Sequence, residues 1–356
     1  METINTKVHQ LLNSTSGKGK TILITGGSGF IAAHVINAFL SRGYNVRTTV
    51  RSQATAERVK LEHADNLDRL SFAIVPDLQT PGGHDEAVKG VDGVIHTASP
   101  FVLQVEDNER DLLKPAVNGT TSVLTSIQKY NPNVKRVVIT SSFASIVDMD
   151  KGVRPGYTYS EKDWNPVTYE TASNKDTNGA IAYCASKTFA ERAAFDFVAK
   201  NKPNFNISTI LPPMVYGPAA HTINNLDHMN TSSADIYRLM NGSLKEVPET
   251  AFYPYVDVRD VGEAHARAYE YAEGAGQRYF VAAGRFTYNI ICQIILKNFP
   301  ELKERIPEPK DVPFPDVYLV NNEKVKTELG MSFIDLETCI VDQVKEFLAL
   351  EEKSKK

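Results

Sequence analysis

The chain places a tyrosine and a lysine four residues apart in an alanine-rich segment, Tyr183 and Lys187 in Ala-Tyr-Cys-Ala-Ser-Lys. If this segment is helical, the two side chains lie on one face, one turn from each other. A free tyrosine has a pKa of about 10, and a neighbouring ammonium lowers that pKa by stabilising the phenolate. Ser142 follows a second apolar segment, and its hydroxyl could polarise a carbonyl oxygen. Together the three side chains suit proton donation during hydride transfer between a nicotinamide cofactor and a carbonyl group.

A glycine-rich turn lies upstream of these residues and predicts a dinucleotide site. It follows the apolar run Thr21–Thr25, and Ala32 completes a G-x-x-G-x-x-A spacing. Glycines allow backbone amides to approach a phosphate closely, and the positive end of the helix that follows points at the pyrophosphate. The alternative is a plain tight turn between a strand and a helix. The residues predicted to contact the cofactor here are Gly26, Gly27, Ser28, Gly29, Phe30 and Ile31.

The second strand-like segment bears on the form of the cofactor. NAD-specific sites usually carry an acid about 20 residues after the glycines, where it accepts from the ribose 2′-hydroxyl. No Asp or Glu occurs over residues 46–52, and Arg51 offers a guanidinium suited to a 2′-phosphate. A solvated surface arginine is the alternative. We therefore predict NADPH/NADP+ as cofactor, with Asp77 and Leu78 near the adenine, although Asp77 could equally be an ordinary loop residue.

Each catalytic candidate also has an ordinary structural interpretation. A tyrosine on an alanine-rich helix often packs as a half-buried aromatic, and a lysine one turn later often faces solvent. A Ser-Ser pair after a strand often caps a helix, and Ser141 competes with Ser142 for the catalytic role. The presence of all three beside a glycine-rich turn favours the catalytic interpretation. No group of His, Cys and carboxylate residues has the spacing of metal ligands.

The segments that must position these side chains alternate between two hydrophobic patterns. Strand-like patterns cover Thr21–Thr25, Asn45–Val50, Ser71–Val75, Gly93–Thr97, Val134–Thr140 and Asn206–Leu211. Helix-like patterns cover Phe30–Ser41, Ala54–Ala64, Glu109–Tyr130, Ala180–Lys200 and Gly262–Tyr271. This alternation predicts an α/β fold with a doubly wound, Rossmann-type parallel sheet. We expect a flexible arm over residues 1–19, a dinucleotide-binding domain over 20–213 and a mainly substrate-binding lobe over 214–356, from which some segments return to the sheet.

The composition argues against several classes of protein. Hydrophobic residues make up 42% and charged residues 23% of 356 positions, which is ordinary for a globular protein. The formal net charge of -4 gives no basic excess, so we expect no nucleic-acid partner. No segment approaches the ~18 apolar residues of a membrane span, and the first residues lack the apolar core of a signal peptide. The three scattered cysteines suit reduced thiols, so we expect a cytoplasmic protein without membrane partners. From the site residues we expect a small-molecule carbonyl substrate, and we expect a monomer or homodimer.

Several strings along the chain match one family together. They are Gly26–Ile31, Val50–Ser52, His96–Phe101, Glu109–Leu113, Pro115–Gly119, Thr140–Ser142, Tyr183–Lys187 and Tyr255–Val261. As a set they resemble the extended short-chain dehydrogenase/reductase family. Within it, the chain is similar to the dihydroflavonol-reductase-like branch, particularly to fungal NADPH-dependent methylglyoxal/3-methylbutanal reductases. The resemblance implies a catalytic triad of Ser142, Tyr183 and Lys187.

The resemblance implies further contacts with the cofactor and the substrate. Besides the glycine turn, Arg51, Asp77 and Leu78, it adds Val215 and Ser232 as NADPH contacts, and it places Phe101 and Phe143 in the substrate pocket. Thr55 stands where relatives can carry a second basic group toward the 2′-phosphate, so selectivity for NADP could be weaker. Met214 replaces an aromatic residue of some relatives beside the pocket. These apolar positions predict a preference for apolar or aromatic carbonyl substrates over charged ones.

Other functions are compatible with this fold. A nucleotide-sugar epimerase or a hydroxysteroid dehydrogenase can share the triad, and an NADP-sensing regulator can bind the cofactor without turnover. Such regulators typically lack the tyrosine, so Tyr183 and Lys187 count against that alternative. The predicted function is NADPH-dependent reduction of aldehydes or ketones with Tyr183 as the proton donor.

Overall fold

A parallel β-sheet forms the centre of the molecule. The computed structural model describes residues 17–99, 105–220, 226 and 229–354. Within these residues the strands are β1 (Thr21–Thr25), β2 (Asn45–Val50), β3 (Leu70–Ile74), β4 (Gly93–His96), β5 (Arg136–Thr140), β6 (Thr158–Tyr159), β7 (Asn206–Leu211), β8 (Met214–Tyr216), β9 (Pro254–Asp257), β10 (Arg278–Phe280), β11 (Gly284–Arg285) and β12 (Leu319–Val320). Seven of them form one sheet in the order β10-β7-β5-β4-β1-β2-β3, and every neighbouring pair is parallel. The predicted Rossmann-type fold is therefore confirmed.

Helices cover both faces of this sheet. The helices of the described residues are α1 (Phe30–Ser41), α2 (Gln53–Glu62), α3 (Lys114–Tyr130), α4 (Tyr169–Ser173), α5 (Gly179–Asn201), α6 (Thr231–Met240), α7 (Val258–Glu270), α8 (Tyr288–Asn298), α9 (Glu323–Glu328) and α10 (Leu336–Ser354). Successive side chains of β1 point to opposite faces of the sheet, as strand geometry requires. Ile22 and Ile24 pack with α1 and α7, whereas Leu23 packs with α3. Burial on both faces explains the continuous apolar run of this strand.

A second, smaller lobe packs beside the carboxyl ends of the sheet strands. Strands β8, β9 and β11 form its three-stranded sheet, with β8 and β9 parallel and β9 and β11 antiparallel. Apolar residues of α6, α8 and α10 form one core with Tyr216 and Phe286. Strands β6 and β12 make a separate parallel pair.

Two segments beyond residue 213 return to the central sheet. Strand β10 pairs with β7 and adds the seventh strand, and α7 packs on the same core as α1. The helix predicted from Gly262 begins earlier, at Val258, because the Asp257 carboxylate caps it and accepts from the Arg259 amide at 2.8 Å. The predicted helix from Glu109 starts as a π-helical turn and becomes α-helical at Lys114. The predicted division of domains at residue 213 remains a prediction.

Two further observations concern a membrane and a metal ion as possible partners. Among the helices of the described ranges, none is both long enough and apolar enough to cross a membrane. The same ranges contain no group of three or more His, Cys, Asp or Glu side chains that could hold a metal ion.

Candidate active site

The candidate residues gather where the winding of the sheet reverses. Strands β2 and β3 lie on one side of β1, and β4 begins the series on the other side. In open parallel sheets, ligands bind outside the carboxyl ends of the strands at this point. The glycine turn follows β1, Ser99 follows β4, and Ser142 follows β5. The structure therefore brings these sequence-distant segments to one edge of the sheet.

The glycine turn is shaped by close contacts that only glycine permits. Gly26 has a φ of +73°, and a Cβ there would lie 3.0 Å from Ala98. A Cβ on Gly27 would overlap the side chain of Thr48. The amides of Gly26 and Gly27 donate to Thr49, at 3.0 and 2.9 Å, which ties the turn to β2.

The helix that follows the turn is open to an anion at its first residues. Gly29 occupies the cap position of α1 and offers no side-chain cap. The first amides of a helix have no partner inside it, so Phe30 and Ile31 present free donors and the positive end of the helix dipole. The turn and α1 together fit a pyrophosphate.

Arg51 lies at the end of β2 and is exposed. Its guanidinium is therefore open to solvent and could meet a ligand phosphate. The adjacent Ser52 caps α2, where its hydroxyl accepts from the Thr55 amide at 3.2 Å. The Thr55 hydroxyl lies 3.0 Å from Ser52 Oγ and adds no charge. This arrangement offers the 2′-phosphate of NADPH one positive charge, that of Arg51.

Asp77 and Leu78 follow β3, and both side chains contact other residues of the protein. The Asp77 carboxylate accepts from the Gln79 amide at 2.9 Å and from the Thr80 hydroxyl at 3.4 Å. The Leu78 side chain packs against Gly119 of α3, where a Cβ would overlap it. A contact of either residue with the adenine therefore stays a prediction.

The three catalytic candidates meet at the amino-terminal half of α5. This helix starts at Gly179, where the Asn178 side chain accepts from the Ala180 amide at 2.8 Å. Lys187 Nζ lies 5.6 Å from the centroid of the Tyr183 ring. The Ser142 hydroxyl faces the Tyr183 phenol closely enough to lower its pKa. The spacing in the sequence thus produces one cluster of a phenol, an ammonium and a hydroxyl.

Burial governs the charges in this cluster. It raises the pKa of Tyr183 well above its usual value, and the Ser142 hydroxyl opposes that rise. It lowers the pKa of Lys187 from 10.5 to about 8, because the charged form loses its hydration. The sequence led us to expect that Lys187 lowers the pKa of Tyr183. In the protein alone, desolvation outweighs that attraction, and the ammonium donates instead to Ser99 Oγ at 2.6 Å.

The structure distinguishes Ser142 from its neighbour. Ser141 Oγ donates to the buried Glu191 carboxylate at 2.7 Å, whereas Ser142 contacts Tyr183. Ser142 also caps the short 3₁₀ helix that follows it and accepts from the Ala144 amide at 3.1 Å. The capping and catalytic interpretations of Ser142 are therefore compatible.

Sequence reasoning missed Ser99 as the partner of Lys187. Its signal was present, since Ser99 lies three residues after β4 in a string already matched to the family. His96, which ends β4, lies 2.8 Å from Thr25 Oγ1 through Nδ1. Burial lowers the pKa of His96 to about 3, so this ring is neutral. Its role in the structure is to join β4 and β1.

The predicted pocket residues differ in their surroundings. Phe143 is 3% exposed, and its ring stacks on Phe280 with centroids 5.2 Å apart. Met214 is half-buried on β8, next to the buried Val215. Ser232 is half-buried in the first turn of α6, and Phe101 lies outside the described residues. Contacts of all four described residues with substrate or cofactor stay predictions, and Phe143 in particular is packed beneath the site.

Known proteins match the chain over most of its length. It is 41% identical to a ketoreductase of Aspergillus niger over 338 residues, which cover 92% of this chain and 98% of the relative. It is 36% identical to the NADPH-dependent methylglyoxal reductase of Saccharomyces cerevisiae, with 93% and 99% covered. The crystal structure of yeast methylglyoxal/isovaleraldehyde reductase complexed with NADPH superposes with a TM-score of 0.87 at 35% identity, covering 94% and 99% of the two chains.

These likenesses agree with the resemblance found in the sequence, down to the branch of fungal carbonyl reductases. A family model matches residues 22–283, which span β1 to the end of β10 and include the glycine turn, Ser142, Tyr183 and Lys187. The chain belongs to the NAD dependent epimerase/dehydratase family.

Proposed function

We propose that this protein is an NADPH-dependent reductase of aldehydes and ketones. The observation that carries the proposal is the meeting of Ser142, Tyr183 and Lys187 at the carboxyl edge of a dinucleotide-type sheet, with Lys187 Nζ 5.6 Å from the centroid of the Tyr183 ring. The names of its relatives, a ketoreductase and a methylglyoxal reductase, support the same chemistry.

The cofactor we propose is NADPH. When bound, NADPH supplies the hydride. The first amides of α1 offer donors for the pyrophosphate, the glycine turn lets the backbone come close to it, and Arg51 offers a cation for the 2′-phosphate. The absence of Asp and Glu over residues 46–52 removes a charge that would repel that phosphate. Asp77, Leu78, Val215 and Ser232 complete the proposed contacts.

The chain's own residues provide and control the proton. Tyr183 donates its phenolic proton to the carbonyl oxygen, and Ser142 donates a hydrogen bond to the same oxygen. The high pKa of Tyr183 keeps its phenol protonated in the protein alone, so the proton is already in place when the substrate binds. The ammonium of Lys187 faces the same site, and it gives up its proton more readily than a free lysine because burial has lowered its pKa to about 8. Its ammonium stabilises the phenolate left after proton transfer.

The substrate class we propose is an uncharged carbonyl compound with an apolar or aromatic group. Met214 is half-buried on β8, and its thioether adapts to different shapes. The resemblance in the sequence adds Phe101 and Phe143 as apolar pocket residues. We further propose that the protein works in the cytoplasm as a monomer or homodimer. Its three buried free cysteines suit the reducing conditions of that compartment.

Turnover of NADPH with a panel of carbonyl compounds tests the proposal. We expect the purified protein to consume NADPH with aldehydes and ketones and to form the matching alcohols. A nucleotide-sugar panel serves as the comparison, since an epimerase would convert these without net loss of NADPH. Absence of any carbonyl reduction, together with epimerisation of a sugar nucleotide, would contradict the proposed function.

A further inference from the structure

A fully buried carboxylate lies one turn beyond Lys187 on α5. Glu191 is 2% exposed, and its two oxygens accept hydrogen bonds from four side chains. Arg278 of the edge strand β10 supplies the compensating charge, with Nε 2.8 Å from Oε1 and Nη2 3.2 Å from Oε2. Burying a charge is costly unless it is paired and hydrogen-bonded, and this pair meets both conditions.

Two of the donors belong to the turn that carries Ser142. Ser141 Oγ and Ser145 Oγ lie 2.7 and 2.6 Å from Glu191 Oε2. Because a carboxylate only accepts, both hydroxyls must donate to it. Ser142 lies between them in the chain and reaches Tyr183 instead. The turn is therefore attached to α5 at two places, once at Tyr183 and once at Glu191.

The same turn is supported by β10 through a second side chain. Arg278 and Phe280 are two residues apart on this strand and thus share a face. Phe280 stacks on Phe143, the residue next to Ser142, with the ring planes 10° apart. The edge strand β10 thereby contacts the middle of the 141–145 turn through Phe280 and the end of that turn through Arg278, whose Nη2 donates to Ser145 Oγ at 3.3 Å.

We propose that Glu191 is a positioning residue for the reaction. Its carboxylate, held by Arg278, fixes the 141–145 turn against α5 so that the Ser142 hydroxyl meets the Tyr183 phenol and the substrate oxygen. This inference rests on the proposed carbonyl reductase function. It assigns a role to Glu191 that requires no contact with substrate or cofactor, because its oxygens are occupied by protein donors.

The hydrogen bonds of Glu191 permit a matched pair of variants. Replacing Glu191 itself would leave Arg278 buried without its partner and could prevent folding. Ser141→Ala/Ser145→Ala instead removes both links to the serine turn, together with the contacts of Ser145 Oγ with the Ser142 carbonyl oxygen and with Arg278, and leaves the ion pair intact. Thr209→Val is the control, since Thr209 Oγ1 donates to Glu191 Oε1 at 2.6 Å but belongs to β7, not to the turn. Both variants remove buried hydrogen bonds to the same carboxylate.

Steady-state kinetics and the isotope effect with deuterated NADPH test the role. In Ser141→Ala/Ser145→Ala we expect kcat to fall at least tenfold, the KM for NADPH to stay within about twofold, and the primary isotope effect to rise as hydride transfer becomes slower. Thr209→Val should keep kcat and the isotope effect near the wild-type values. Unfolding midpoints of both variants show whether the difference follows stability.

Two results would overturn the proposal, and they are distinguishable. If the wild type reduces carbonyls but Ser141→Ala/Ser145→Ala loses no more kcat than Thr209→Val, the links to Glu191 do not position the turn and the positioning role fails alone. If the wild type consumes no NADPH with any carbonyl compound, the proposed function fails and the positioning role falls with it.

Discussion

Removing the charge of Lys187 should stabilise the protein while it abolishes activity. The buried ammonium has a pKa of about 8, compared with 10.5 for a free lysine. The difference corresponds to a free-energy cost of about 3 kcal/mol at neutral pH, where both the unfolded and the folded chain hold the proton but the folded chain must bury the charge. Lys187→Met fills the same volume without a charge. It loses the bond to Ser99, worth about 1 kcal/mol, so the net gain should be about 2 kcal/mol at pH 7.

The direction in which stability changes with pH shows whether the buried charge of Lys187 is the cause. Between about pH 8 and 10.5 the unfolded state binds more protons than the folded state, so the stability of the wild type rises with pH. The cost of burying Lys187 therefore shrinks to below about 1 kcal/mol at pH 10, and the advantage of Lys187→Met should disappear there.

Urea unfolding of the cofactor-free protein at pH 7 and pH 10 measures this effect. Lys175→Met is the control, because Lys175 is exposed and the same chemical change there should leave stability nearly unaltered at both pH values. A destabilised Lys187→Met protein at pH 7, or a gain that persists unchanged at pH 10, would refute the assignment of the cost to a buried ammonium.

Three further predictions concern the reaction. Arg51→Ala should weaken NADPH binding about tenfold, the value of one partly exposed charge-assisted contact, and leave NADH nearly unchanged; equal losses in kinetics with both cofactors would make Arg51 a surface charge only. The kcat/KM for carbonyl reduction should fall as the pH rises through about 8, because Lys187 loses its proton there. Aldehydes, ketones and esters should be reduced with higher kcat/KM than matched keto acids, and the reverse order would contradict an apolar pocket.

Local patterns in the sequence were sufficient for much of the fold. The strands Thr21–Thr25, Asn45–Val50 and Asn206–Leu211 have the predicted bounds because each is a continuous apolar or β-branched run closed by a turn. The pair Tyr183 and Lys187 was recognisable because helical spacing alone decides that they share a face.

Long-range contacts were not predictable from those patterns. Strand β10 has only three residues, which are too few for a periodic signal, and it joins the sheet through pairing with β7. The ion pair between Arg278 and Glu191 joins residues far apart in the chain, so neither residue shows its partner locally. The depth at which Lys187 is buried, and hence its lowered pKa, likewise follows from packing of separate segments.

The central claim is that Tyr183 gives the proton to the reduced carbonyl. Tyr183→Phe removes only the phenolic hydroxyl. The half-buried Tyr269 of α7, whose ring lies against Gly93 of β4, provides a matched control. The measurement is kcat with a reducible ketone together with the Kd for NADPH. We expect kcat to fall on the order of 10²–10⁴-fold in Tyr183→Phe with the Kd nearly unchanged, and Tyr269→Phe to behave as the wild type. Wild-type turnover in Tyr183→Phe would contradict the account.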